Sequence, residues 1–131
     1  MASTPPRPLS PHLSIWRWGP HMVVSILHRI TGVGLAIVGL AALTWWLVAI
    51  ASGPESYATF TNAAGHPIGL VVLIGLTWAF FQHLLSGIRH LAMDTGAAFE
   101  LGVNKRFAVV TVLGSVLLTA ALWAYVLGAR P

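Results

Sequence analysis

Ile30 to Ala51 reads ITGVGLAIVGLAALTWWLVAIA and contains no ionisable side chain. That stretch decides the fold. A run of this length reaches the ~20 apolar residues needed to cross a hydrocarbon core about 30 Å thick. In hydrocarbon every backbone N–H and C=O must find its partner within the protein, and a helix satisfies them within itself. Two further runs have the same character. Pro67 to Ile88 is interrupted only by His83, and Phe107 to Leu127 again has no ionisable group. No internal repeat relates the three. The expected fold class is an all-α membrane protein with three transmembrane helices.

Composition agrees. Of 131 residues, 56% are hydrophobic and 8% charged, where a soluble domain carries about 25% charged residues. The length allows a single domain, residues 1–131. The formal charge of +4 comes from seven basic and three acidic side chains. They are scattered between apolar runs, which argues against a nucleic-acid surface and for a lipid bilayer as the main partner. The chain has no cysteine. Disulfides, thiolate-bound haem, covalent haem attachment and cysteine-held iron–sulfur clusters are therefore excluded within it. A metal would need histidine, carboxylate or thioether, and six histidines are present.

The charged flanks predict the topology. Arg7, Arg17 and Arg29 precede or open the first run, and Arg89, Lys105 and Arg106 lie between the second and third. Glu55 alone is charged between the first and second, and only Arg130 follows the third. Positive charge marks the cytoplasmic side. The N-terminus and second loop are then cytoplasmic, and the first loop and C-terminus periplasmic. Pro20 and Pro67 suit first-turn positions, Gly53-Pro54 should stop the first helix, and Gly96 should cap the second. The expected helices run over about 20–52, 67–95 and 106–128. Residues 1–19, with Trp16 and Trp18, read as an interfacial segment of the mature protein, since no apolar core there ends in a cleavage site.

Ionisable residues near or inside a span point to function. Ser25, His28 and Arg29 form one cluster, with His21 a turn earlier. Ser25 and Arg29 share a helix face at four-residue spacing. His83, Gly87, His90 and Asp94 form a second, continuous stripe. The predicted topology brings both clusters to the cytoplasmic half of the membrane. His83 lies about 9 Å deeper than Arg89 along its helix. Gly75, Ala79 and Gly87 share its stripe, and such small residues would let either another helix or the edge of a haem approach the backbone. Only His83 is well inside the core, so a haem held by two histidines would take its second axial ligand from another chain. His28, Arg29 and His90 would then suit haem propionates. Ser25 and Arg29 could instead receive a quinone carbonyl, with Asp94 linking the site to cytoplasmic protons. Each has a plainer alternative: Ser25 bonding back to its own helix, Arg29 snorkelling to the interface, Asp94 pairing with Arg89 or His90.

Three stretches carry a resemblance: Arg7-Pro8-Leu9-Ser10-Pro11-His12, Ser25-Ile26-Leu27-His28-Arg29-Ile30-Thr31-Gly32, and His83-Leu84-Leu85-Ser86-Gly87-Ile88-Arg89-His90 with Asp94. Their order and spacing resemble the cytochrome b subunit of succinate dehydrogenase, across nearly the whole chain. The resemblance implies one of two small membrane anchors beside a flavoprotein and an iron–sulfur subunit. It implies half of a helix bundle, completed by the second anchor, with haem b between them. Succinate chemistry would lie in the partner chains, and electrons would pass to ubiquinone at the cytoplasmic face. Carried over by motif position, His83 is the axial ligand to the haem iron. Ser25 and Arg29 match the quinone pocket, Asp94 matches an acidic residue near it, and His28 and Arg29 match groups near the propionates. The short chain starting at Met1 favours a bacterial member in the inner membrane. The competing readings are the anchor of a quinol:fumarate reductase and a structural anchor without cofactors. A small transporter is disfavoured by three spans without a repeat or a broken helix.

Overall fold

The computed structural model describes residues 17–129, all helix and short connections. Trp16, the Arg7–His12 stretch and Arg130 lie outside the described residues. Helix α1 spans Pro20–Ala51, α2 Pro54–Gly65, α3 Pro67–Asp94 and α4 Leu101–Gly128. Three of these, α1, α3 and α4, are long and apolar enough to cross a membrane. The chain is an all-α membrane protein with three spanning helices.

The ends follow local chemistry. Pro20, Pro54 and Pro67 each stand in a first turn, where the missing N–H costs nothing and φ is already helical. His66 caps α3, its Nδ1 accepting from the Ile68 N–H at 3.3 Å. Helix α3 ends at Asp94, and Gly96 follows with φ of 87°, a left-handed conformation open to glycine without a Cβ penalty.

Three features depart from the sequence reading. The segment between the first two spans, expected as a loop, contains the helix α2. Helix α4 begins at Leu101, so Lys105 and Arg106 sit within it rather than before it. Helix α1, expected as unbroken, contains a π-helical turn at Leu35–Gly39. Before that turn α1 packs against α3 and α4. After it, Leu40–Ala51 touches α2 and leaves the other two spans. The three spans are thus bundled at the end that carries Pro20, Asp94 and Leu101; toward the other end α1 leaves α3 and α4, which stay paired as far as Thr77 and Trp123.

What is buried is mostly polar or small. Among the described residues only Val24, Ala49 and Ala108 are buried apolar side chains, against seven polar ones: Thr31, Gln82, Ser86, Arg89, Thr111, Ser115 and Thr119. Large apolar side chains such as Ile37, Val71, Leu117 and Leu91 face outward. This arrangement suits lipid outside, where small residues and interhelical hydrogen bonds drive packing. On α4, Ala108, Thr111, Ser115 and Thr119 recur every three or four residues and make one face. Against it α3 sets Gln82, Ser86 and Arg89. Ser115 Oγ donates to Gln82 Oε1 at 2.8 Å, and Trp123 Nε1 donates to Thr77 Oγ1 at 3.2 Å. At the bundled end Arg89 donates to Asn104 Oδ1 at 2.6 Å, while Asn104 Nδ2 reaches the Ala98 carbonyl at 3.3 Å. Asn104 thereby ties the α3–α4 connection to both helices.

Candidate functional site

The centre of the site is His83 on α3. Its ring lies against α1, with Cε1 nearest to Gly32. A Cβ on Gly32 would stand 2.9 Å from His83 Cε1, so only glycine lets the ring come this close. His83 Nδ1 lies 3.1 Å from the His28 carbonyl oxygen and 3.4 Å from Thr31 Oγ1. A carbonyl only accepts, so Nδ1 carries the hydrogen and Nε2 keeps its lone pair.

Two more histidines complete the cluster. The His28 ring stacks on His83 with centroids 3.9 Å apart and planes 7° from parallel. His90 stands 5.1 Å from His28 at 58°. The spacing on α3 explains this: His83, Gly87 and His90 share one face, and His28 sits over the middle of it. A Cβ on Gly87 would lie 3.9 Å from His28 Cε1, in ordinary contact. The other end of the small-residue stripe behaves differently, since nothing lies within 4 Å of a Cβ on Gly75.

The structure therefore brings His28, His83 and His90 together. Arg29 and Asp94 are exposed, and Ser25 is half-buried. Thr31, Thr44, Thr77, Thr111 and Thr119 bond back to carbonyls of their own helices. Ser25 makes no such bond among the described residues, which leaves its hydroxyl available. Arg89, a possible partner for Asp94, goes to Asn104 instead. Sequence reasoning gave no role to Thr31 or Gly32, although both stand inside the S-x-x-H-R-x-T-G stretch. It also missed Gln82, Ser86, Asn104 and Ser115, which only the pairing of α3 with α4 makes visible.

A haem fits this donor set. Neutral imidazole with a bare Nε2 is an axial ligand, and its opposite nitrogen already has the carbonyl partner that metal-bound histidines usually have. Among the described residues no three histidine, cysteine or acidic side chains cluster to hold a bare ion.

The family model of the succinate dehydrogenase/fumarate reductase transmembrane subunit matches residues 3–122. This chain belongs to that family. It is a membrane subunit of a succinate dehydrogenase-type complex. The succinate dehydrogenase cytochrome b556 subunit of Paracoccus denitrificans is 38% identical over 86% of this chain and 85% of its own length. That of Rickettsia felis is 38% identical over 89% and 90%. The mitochondrial cytochrome b560 subunit of Sus scrofa is 32% identical over 90% of this chain and 70% of its own length. The histidine cluster and the adjoining Ser25 thus lie in a subunit type whose curated relatives are named cytochromes b.

Proposed function

We propose that this subunit binds haem b through His83 Nε2, with the second axial ligand from the other small anchor, and helps form the site where ubiquinone is reduced. The observation that carries the reading is the seating of His83, with Nδ1 on the His28 carbonyl and Nε2 unengaged, in a chain whose relatives are named cytochrome b subunits. When bound, the haem supplies one-electron storage within the membrane. The chain's own residues hold and orient it. Gly32 lets the His83 ring seat against α1. His28, Arg29 and His90 offer hydrogen bonds and positive charge to propionates at the bundled end. Ser25, with its free hydroxyl, and Arg29, one turn away, donate to a quinone carbonyl. Asp94 is exposed and suited to pass protons toward the same end.

The flavoprotein and iron–sulfur subunits of such a complex would carry the succinate chemistry and deliver electrons where α1 and α3 meet. The basic residues at that end, Arg17, Arg29, Arg89, Lys105 and Arg106, support its placement on the cytoplasmic side of a bacterial inner membrane, with the C-terminus periplasmic. Single cysteines at Ser56 and Val103 should be labelled from opposite sides of the membrane. Labelling from one side would overturn the orientation.

The decisive measurement is a reduced-minus-oxidised spectrum of the purified four-subunit complex. A low-spin haem b signal is expected. His83→Ala should remove or shift it, and His66→Ala, at the opposite end, should not. No haem signal in the wild type would leave the cofactor-free anchor as the reading. The reverse reaction, quinol:fumarate reduction, would be distinguished by comparing turnover in the two directions.

A further inference from the structure

The geometry points to Thr31 as a positioning residue for the haem ligand: its hydroxyl oxygen acts with the His28 carbonyl to hold His83 with Nδ1 protonated, which would leave Nε2 bare for iron. This rests on the reading of His83 as axial ligand. Thr31 is buried, with 3% of its surface exposed. Its single hydroxyl proton is already committed to its own helix, 2.7 Å from the Leu27 carbonyl and 3.1 Å from that of His28. Such a back-bond selects one rotamer of a threonine in a helix. In that rotamer Oγ1 lies 3.4 Å from His83 Nδ1 and has only lone pairs left to offer. The Nδ1–H is therefore shared between two acceptors, with the carbonyl at 3.1 Å the nearer. Were the proton on Nε2 instead, Nδ1 would face the carbonyl lone pair to lone pair, and iron would have no free nitrogen. The next residue, Gly32, clears the space that the ring occupies. Residues 31 and 32 thus act as a pair. The first fixes the hydrogen-bonding state of the ligand, and the second admits its ring.

The role has a consequence that packing alone does not have. A hydrogen bond from Nδ1–H makes the imidazole a stronger donor, which favours the ferric over the ferrous state. The test is an optical redox titration of the four-subunit complex. Thr31→Val, which loses the oxygen and keeps the branched shape, should retain haem and raise its midpoint potential. Outer-sphere partners typically change metal affinity about 10–100-fold. The longer of two bonds belongs at the low end. A tenfold loss of ferric preference is about 59 mV for a one-electron couple. Thr31→Ser should return the potential to the wild-type value. If Thr31→Val does not assemble, Thr31→Ala gives the same readout with less crowding. A wild-type potential in the variant lacking the hydroxyl, or a Thr31→Ser potential displaced as far as that variant's, would sink the role of Thr31. Either result would leave His83 as ligand, provided His83→Ala still removes the haem signal. A haem signal that survives His83→Ala would instead remove the ligand assignment itself.

Discussion

Helix α3 presents two polar faces that differ in kind, although Gln82 and His83 are neighbours in sequence. The face toward α4 carries Gln82, Ser86 and Arg89, each at most 5% exposed. It is a seam shut off from the surroundings, where the bonds to Ser115 and Asn104 stay within the chain and Gln82 Nε2, Ser86 Oγ and Arg89 Nε are buried without partners. The face toward α1 carries His83, Gly87 and His90, all half-buried. There His83 is seated through Nδ1 on the His28 carbonyl while its Nε2 is unengaged. Polar residues in a membrane protein are thus of two sorts. Those on the α4 side hold helices together. Those on the α1 side stay half-exposed and include a seated ring with one nitrogen to spare, which suits a ligand site.

The two faces can be separated by substitution. The largest expected loss of stability follows Asn104→Leu, which takes away the acceptor of a buried guanidinium whose Nε already has no partner. A hydrogen bond to a charged group contributes about 1.5–3 kcal/mol. The thermal inactivation midpoint of the complex, at one fixed scan rate, should fall accordingly while the haem spectrum stays unchanged. A spectrum that falls with it would mean that the two faces are not independent.

Next comes Ser25→Ala on the α1 side. It should leave stability and succinate oxidation by a soluble dye intact, and slow ubiquinone reduction roughly tenfold, the effect of about 1.4 kcal/mol on a barrier. Arg29→Leu should act in the same direction and disturb the haem as well. Normal ubiquinone kinetics and inhibitor sensitivity in Ser25→Ala would move the quinone pocket elsewhere. The smallest effect is expected for Ser115→Ala, which breaks the bond to Gln82. Interhelical hydrogen bonds of this type average about 0.6 kcal/mol in measured membrane proteins. A drop in the inactivation midpoint as large as that of Asn104→Leu would show that the middle of the seam, rather than its end, fastens α3 to α4.

The spans were legible because freedom from charge over a long stretch has one common cause, contact with hydrocarbon. Pro20, Pro67 and Gly96 marked ends correctly because their backbone preferences act locally. The start of α4 was not legible in the same way. Hydropathy reads where apolar residues stop, whereas the helix extends past them through Arg106 and Lys105 and begins at Leu101. Helix α2 has the mixed composition of a loop, and nothing local separates the two. The π turn is silent for a similar reason: in an all-apolar run no periodicity is left to slip. The histidine face could be read from spacing on α3 alone, but its meeting with His28 required the packing of α1. The seam to α4 could not be read at all, since serine, threonine and glutamine in a span give no sign of which neighbour they will meet.

The π turn at Leu35–Gly39 also has a mechanical meaning. Every α1 residue assigned to the site, from Ser25 to Gly32, precedes it, and every residue that has parted from α3 and α4 follows it. Helices bend most readily at such turns. Changes in bilayer thickness or tilt that pull on Leu40–Ala51 will be absorbed at residues 35–39, as in a compliant coupling between two stiff rods. The segment that carries Ser25, His28, Thr31 and Gly32 then keeps its setting against His83 while the far end follows the lipid.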